Sequence, residues 1–197
     1  MNFLAHLLLS DDVGPVMLGN FMGDFVKGKQ LLSYPPEIQR GIRLHRAIDY
    51  FTDQHPIVRS SMARLRPTYR HYAGVIVDMF YDHFLAVHWT TYGHGTLVEF
   101  ADRAYQLLES SQALLPERAR FMLPYMIRHN WLVRYQEVEG IRRSLTGLAH
   151  RTGYKSGMEH AHEALLANYT DYQAEFEEFF PQIQAHCHDF LEKNNSE

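Results

Sequence analysis

Cysteine is almost absent from this sequence, since one residue of 197, Cys187, is a cysteine. A disulfide within the chain is therefore impossible, and a zinc site built from several thiolates is excluded. Cys187 lies between His186 and His188 in an acidic C-terminal region, and negative surroundings disfavour the thiolate that a catalytic cysteine needs. We therefore expect no thiol chemistry.

Long apolar runs and a strong charge imbalance are also missing. No stretch reaches the roughly 18 apolar residues that a membrane-spanning helix requires, and the first residues lack the basic region that opens a signal peptide. The 19 basic and 23 acidic residues give a net charge of −4, which does not favour nucleic-acid binding. These absences predict a cytoplasmic protein with no membrane span and no nucleic-acid partner.

Several catalytic motifs are absent too. The sequence has no phosphate-binding glycine-rich loop, no G-x-S-x-G nucleophile elbow and no H-E-x-x-H zinc motif. It does have 46 % apolar residues, 13 % aromatic residues and 13 histidines. The length and the apolar content suit one well-filled core, so we expect a single domain over residues 1–197. The histidines become candidate ligands only where their spacing supports that role.

Helical periodicity dominates the sequence, and strand-like alternation is scarce. We predict an all-α, single-domain helical bundle with helices over residues 3–9, 16–26, 35–52, 70–89, 97–111, 116–129, 132–148, 157–168 and 172–191. The segment 70–89 should be the longest and central helix. Pro181 should kink or split the last helix, because proline removes a backbone donor and clashes with the preceding turn.

The first candidate site is formed by His45 and Asp49. These residues are four apart, so on a helix they share one face with Ile38 and Ile42. Two polar side chains thus extend an apolar, inward-facing stripe, where burial is costly unless they pair or bind a cation. Two interpretations remain open, a His–Asp hydrogen bond within the core or a pair of metal ligands.

A second candidate group, Asp78, Asp82 and His83, lies on the predicted helix 70–89. Asp78 and Asp82 share a face by the same spacing, and Val75 and Leu85 flank them, so this face also looks inward. Two carboxylates four apart repel each other, and a divalent metal would remove the conflict. His83 points about 100° away around the helix but could still reach such a metal. The alternative interpretation is a pair of surface acids.

The third candidate is Asp24, which follows Gly19 and Gly23 in an apolar segment. It is either a metal ligand or a helix-terminal residue near solvent. His6 is a weaker candidate, because Phe3 and Leu7 could bury it as a core histidine. The whole set offers only oxygen and nitrogen ligands, which favours Mn²⁺, Fe²⁺ or Mg²⁺ over a thiolate-bound metal. Such a metal can activate water and offset charge on a phosphoryl oxygen.

Positive charge is concentrated between residues 27 and 70. Nine lysines and arginines stand there against three acids, a balance of +6 in a chain that is acidic as a whole. This basic stretch is either a set of solvated helix faces or a docking surface for an acidic partner or a phosphate.

Several separated motifs resemble the acyl carrier protein phosphodiesterases, distant relatives of the HD-type metal phosphohydrolases. The resemblance covers nearly the whole chain. It is carried by Met1-Asn2-Phe3-Leu4-Ala5-His6-Leu7, Gly19-Asn20, Asp24-Phe25-Val26, His45-Arg46, Ile48-Asp49, Thr52-Asp53, Asp78, Asp82-His83-Phe84-Leu85, His88-Trp89 and Trp131-Leu132-Val133-Arg134-Tyr135.

This resemblance implies an HD-domain-like fold and a specific activity. Such enzymes hydrolyse the phosphodiester that joins 4′-phosphopantetheine to a serine of holo-acyl carrier protein, with Mn²⁺ preferred, and release apo-carrier and 4′-phosphopantetheine. Carrier proteins are strongly acidic, which fits docking on the basic stretch 27–70.

We therefore assign six residues to the metal and its surroundings: Asp24, His45, Asp49, Asp78, Asp82 and His83. Asp49 or Asp82 is the expected general base, and Arg46 could hold the phosphate with its forked donors. Three other functions remain open. They are an HD-like phosphohydrolase acting on a nucleotide or another small phosphodiester, a di-iron redox protein, and a carrier-binding module without catalysis.

Overall fold

The computed structural model of the chain describes residues 1–12 and 14–193. Within these ranges the secondary structure is helical and contains no strand, which confirms the predicted all-α class. The α-helices are, in chain order, α1 (Phe3–Leu8), α2 (Gly14–Met22), α3 (Pro36–Gln54), α4 (Pro56–Tyr69), α5 (Ala73–Val87), α6 (Trp89–Tyr92), α7 (Leu97–Ser110), α8 (Glu117–Arg128), α9 (Trp131–Arg134), α10 (Val138–Arg151), α11 (Ala161–Ala167) and α12 (Tyr169–Lys193).

The prediction that the segment 70–89 forms the longest helix is wrong, and Pro181 does not split the last helix. The longest helix in the described ranges is α12 with 25 residues, whereas α5 has 15 and begins only after a short 3₁₀ turn, Arg70–Tyr72. Pro181 lies inside α12 without splitting it. Buried side chains on both sides of the proline, Phe180 and Ile183 among them, pack into the core, and this packing holds the helix together across the missing hydrogen bond.

The core centres on α5, which packs against α1, α4, α10 and α12. Its side chains from Ile76 to Ala86 are almost all buried, and aromatic rings fill the interface with α12. Tyr81, for example, meets the Phe176 ring edge-on at a centroid distance of 5.7 Å. None of the helices in the described ranges is both long and apolar enough to cross a membrane.

Helices α2 and α3 cross at unusually close range, and two glycines make this possible. A Cβ at Gly19 would lie 2.1 Å from the carbonyl oxygen of Ile38, and a Cβ at Gly41 would lie 2.1 Å from that of Val16. Neither position can hold a larger residue without moving a backbone. The close crossing brings the polar residue Asn20 of α2 against α3, and α1 packs on both α2 and α5.

Candidate metal centre

His45 and Asp49 face each other one turn apart on α3, as their spacing predicts. His45 Nε2 lies 3.1 Å from Asp49 Oδ2, and it lies 3.4 Å from Oδ1 of Asp24 in the 3₁₀ turn after α2. His45 is buried, while the side chain of Asp24 is 63 % exposed. The three residues form a polar group that runs from the core to the surface.

His6 of α1 completes the group from the other side. Its ring stacks on that of His45 with 4.0 Å between ring centroids and 17° between the ring planes. Its Nε2 lies 3.3 Å from Asp49 Oδ1. Each carboxylate oxygen of Asp49 therefore faces one histidine nitrogen. In the described part of the chain, His6, His45 and Asp49 are the residues whose ligand atoms all lie within 4.8 Å of one another.

Asn20 fixes the orientation of both imidazole rings. Its backbone oxygen accepts a hydrogen bond from Nδ1 of His45 at 2.8 Å. The Nδ2 group of its side chain donates hydrogen bonds to the backbone oxygen of His6 and to Oγ of Ser10. The side-chain Oδ1 therefore accepts a hydrogen bond from Nδ1 of His6 at 2.8 Å. Both Nδ1 atoms consequently carry the hydrogen, and both Nε2 atoms can present lone pairs to Asp49.

This donor set fits a divalent cation. His45 Nε2 is buried and has no hydrogen-bond partner of acceptable geometry among the described residues, although two carboxylates lie near it. His6 Nε2 has the backbone oxygen of Met1 at 3.1 Å and Asp49 at 3.3 Å. Lone pairs surrounded by oxygen atoms repel each other unless a proton or a metal ion lies between them. A second polar group that orients a histidine through Nδ1 is the usual support of a metal ligand.

The pKa values of His6, His45 and Asp49 are shifted by burial and by one another. Burial lowers the pKa of His45, but the neighbouring Asp24 and Asp49 outweigh burial and raise it to about 9. Burial and the adjacent His45 lower the pKa of His6. Burial raises the pKa of Asp49, but the two histidines outweigh this effect and keep that pKa well below its usual range. Without a metal, His45 thus holds the single proton that reconciles the two carboxylates.

Gly23 makes room for the His45 ring. A Cβ at this position would lie 2.1 Å from Cγ and 2.4 Å from Cδ2 of His45, inside the packed imidazole. The glycine therefore allows the 3₁₀ turn Gly23–Phe25 to pass directly over the ring and to bring Asp24 to Nε2.

The structure places Asp78 and Asp82 beside the cluster rather than in it. Asp78 Oδ1 lies 2.8 Å from the amino nitrogen of Met1. The buried Asp82 accepts hydrogen bonds from three backbone N–H groups, those of Leu4 at 2.8 Å, Asn2 at 3.2 Å and Ala5 at 3.3 Å. The Met1 ammonium group accounts for Asp78 without a metal, and the backbone N–H groups account for Asp82. Burial nevertheless raises the pKa of Asp82 to about 7.

His83 and Arg46 also have partners within the protein. Nδ1 of His83 lies 2.7 Å from the backbone oxygen of Tyr135, and Nε2 lies 2.9 Å from the hydroxyl of Tyr169. Both ring nitrogens are thus engaged away from His45. Nη2 of Arg46 donates to the backbone oxygens of Val26 and Gly28 at 3.2 and 3.3 Å, so this arginine holds the segment that follows Asp24.

The structure brings together only some of the six residues that the sequence assigns to one metal site. Asp24, His45 and Asp49 come together as predicted, whereas Asp78, Asp82 and His83 do not join them. Sequence reasoning underrated His6 and gave no role to Asn20. The signal that could have identified both was the polar character of two residues in otherwise apolar helices, which burial makes costly unless they pair.

Comparisons with known proteins agree with this arrangement of motifs. A family model described as acyl carrier protein phosphodiesterase matches residues 1–183. A relative of that name from Photorhabdus laumondii subsp. laumondii is 34 % identical over 187 residues, 93 % of each chain. Relatives of the same name include one from Shigella boydii serotype 18, 34 % identical over 94 % of this chain and 96 % of its own. Another, from Klebsiella pneumoniae, is 35 % identical over 93 % and 95 %. No solved structure matches the chain.

Proposed function

The chain belongs to the acyl carrier protein phosphodiesterase family, and from this membership we propose that it hydrolyses the phosphodiester of holo-acyl carrier protein. The bond cleaved joins 4′-phosphopantetheine to a serine of the carrier. The products are apo-carrier and free 4′-phosphopantetheine, and the reaction takes place in the cytoplasm. The names of the relatives support the reaction class, and the His6–His45–Asp49 cluster supports its dependence on a metal.

The observation that carries this proposal is the pair of histidine Nε2 atoms that face one carboxylate. His6, His45 and Asp49 would hold the ion, with Asp24 at its open side. Nitrogen and carboxylate ligands favour Mn²⁺, with Mg²⁺ and Fe²⁺ as further candidates. Bound there, the ion would supply Lewis-acid chemistry, the polarisation of a phosphoryl oxygen and the acidification of water.

Asp24 is the best-placed general base in this arrangement. The neighbouring His45 imidazole lowers the pKa of Asp24, so this carboxyl group is ionised at neutral pH, and its exposed carboxylate can take a proton from water. Asp49 is less available, because both of its oxygens face histidines. Asp82 is less available still, because three backbone N–H groups occupy its oxygens.

Arg46 remains the proposed contact with the phosphate of the substrate. The hydrogen bonds to Val26 and Gly28 use Nη2, and within the described ranges its Nε and Nη1 form none. The guanidinium therefore retains donors for a phosphoryl oxygen while it holds the segment next to Asp24. The basic stretch 27–70, which includes Arg46, supplies the docking surface for an acidic carrier.

The test is incubation of the purified protein with holo-acyl carrier protein and Mn²⁺, followed by mass spectrometry of the carrier. We expect conversion to apo-carrier with release of 4′-phosphopantetheine, and loss of turnover after chelation. A nucleotide panel tests the alternative HD-like phosphohydrolase. Hydrolysis of nucleotides without any conversion of the carrier would replace our proposal. Binding of the carrier without release would instead favour a binding module, and oxygen consumption would favour di-iron chemistry.

A further inference from the structure

A second polar feature lies near the metal cluster, on the surface formed by α4 and the turn into α5. It is an open cavity of about 440 Å³ whose polar lining consists of Asp53, Arg59, Arg66, Arg70 and His71. We call it the arginine pocket. Its floor includes the buried Met62. Three guanidinium groups and one imidazole thus face one carboxylate.

Two of the three arginines have no side-chain partner among the residues that the structure describes. Arg59 donates to the backbone oxygen of Asp53 and to the side chain of Gln54. Arg66 and Arg70 form no hydrogen bond or ion pair through their side chains in residues 1–12 and 14–193. Like charges that outnumber the counterions in a cavity repel each other. Such a pair therefore gains from an anion supplied by a ligand.

The backbone adds to the cost of this arrangement. Arg70 has φ 53° and ψ −122°, a conformation that residues other than glycine adopt at an energetic penalty. It follows the buried Tyr69 at the end of α4 and opens the 3₁₀ turn Arg70–Tyr72. The strained residue is one that lines the pocket.

The pocket and the metal cluster share helix α3. Asp53 of the pocket follows Asp49 of the cluster by one helical turn, which corresponds to about 6 Å along the helix axis. A single ligand with two anionic groups can therefore span both sites. A small phosphodiester at the cluster would leave the pocket untouched.

We propose that the arginine pocket binds surface carboxylates of the carrier protein next to its modified serine while the phosphodiester lies at the metal cluster. This proposal rests on the proposed function, because it takes the carrier as the substrate. The chain has a net charge of −4, so its attraction to an acidic protein depends on local groups of positive charge. A local group of unpaired arginines beside the cluster consequently orients the partner as well as attracting it.

The experiment compares the double variant Arg66→Gln/Arg70→Gln with the control Arg118→Gln/Arg128→Gln. The control arginines are exposed on α8, outside the basic stretch, and have no side-chain partner among the described residues. Each protein is assayed with Mn²⁺ on holo-acyl carrier protein and on bis(4-nitrophenyl) phosphate. We expect the pocket variant to raise KM for the carrier about tenfold, to leave kcat nearly unchanged and to keep the wild-type rate on the small diester. The control should match the wild type on both substrates.

Three results would overturn the proposal. They are an unchanged KM for the carrier, an equal loss on both substrates, and an equal effect of the control variant. Binding of fluorescently labelled apo-carrier separates this proposal from the proposed function. If the wild type binds apo-carrier and the pocket variant does not, the pocket stands even when no holo-carrier is hydrolysed. If hydrolysis occurs and both proteins bind alike, the proposed function stands and the pocket falls.

Inorganic phosphate tests the other source of negative charge. Free phosphate should compete poorly with the carboxylates of a protein surface for a site that prefers a protein partner. With each substrate below its saturating concentration, we expect phosphate to inhibit hydrolysis of the carrier and of the small diester equally, through the metal cluster. Selective inhibition of carrier hydrolysis that disappears in Arg66→Gln/Arg70→Gln would show a phosphate site and contradict the proposal.

Discussion

The imidazole rings of His6 and His45 lie 4.0 Å apart in a nearly parallel stack, and one residue, Asn20, accepts a hydrogen bond from each. Helices α1, α2 and α3 meet at this point. The two outer nitrogens consequently face the same carboxylate, that of Asp49. A buried arrangement of this kind is costly by itself and is stabilised by a cation.

Replacing Asn20 by alanine should weaken metal binding without touching a ligand. Both rings would be held less firmly, and the loss of such a supporting group lowers metal affinity roughly 10–100-fold. The backbone oxygen that holds His45 remains, so His6 should be the more mobile ring. Titration of the folded variant with Mn²⁺ measures the loss, and Asn168→Ala, which removes an amide bonded to Ala164, serves as the control. Wild-type affinity in Asn20→Ala would contradict the supporting role.

Asp49 and Asp82 should respond differently to the same substitution. Asp49→Asn removes a proposed ligand and should lower turnover by at least about 100-fold with little change in stability. Asp82→Asn replaces an acceptor of three backbone N–H groups and should lower the free energy of unfolding by about 1–3 kcal/mol. Its turnover per folded molecule should stay close to that of the wild type. Activity assays and urea unfolding of both variants decide this, and the reverse pattern would return Asp82 to the catalytic centre.

Gly23→Ala should damage the centre through space alone. The added methyl group would overlap the His45 ring, so the ring or the 3₁₀ turn that carries Asp24 must move. We expect metal affinity to fall at least about tenfold. Gly147→Ala is the matched control, because its Cβ would meet no atom within 4 Å. In the middle of α10 that substitution should stabilise the protein by about 0.5–1 kcal/mol and leave metal binding unchanged.

The affinity for Mn²⁺ should rise with pH through the neutral range. In the metal-free protein the pKa of His45 is about 9, so a proton must leave before Nε2 can bind a metal. Below that pKa the affinity should fall about tenfold for each pH unit. The lowered pKa of His6 means that this ring contributes no second proton near neutrality. Calorimetry in buffers of different ionisation enthalpy should detect about one proton released per ion.

A matched variant sharpens the pH experiment. Asp24→Asn removes one of the two carboxylates that raise the pKa of His45, so the proton should be held less tightly. The dependence of affinity on pH should therefore flatten at a lower pH than in the wild type. An affinity that does not change between about pH 6.5 and 8 in the wild type would contradict the protonated state of His45.

Local patterns predicted the fold class, and packing determined the rest. The apolar periodicity of α3 and α7 fixed their positions to within a few residues of the observed ends. The split that Pro181 could have caused in α12 does not occur, and a local rule about proline could not show this, because it does not include the aromatic packing that holds the helix together. The close crossing at Gly19 and Gly41 was likewise invisible, since it depends on which helices become neighbours.

In the candidate site, too, relationships within one helix were predictable and contacts between helices were not. The spacing of His45 and Asp49 correctly predicted a shared helix face, because that relationship lies within one helix. The same argument placed Asp78 and Asp82 on one face of α5, but it could not reveal that Met1 and the start of α1 would supply their partners. His6 joins through a stack between two helices, which no spacing in the sequence encodes.

Anomalous diffraction at the manganese edge, from crystals grown with Mn²⁺, tests the proposed metal centre most directly. We expect a manganese peak bounded by Nε2 of His6, Nε2 of His45 and the carboxylate of Asp49. A peak among Asp78, Asp82 and His83 instead, or no peak at the stacked histidines under saturating Mn²⁺, would contradict it.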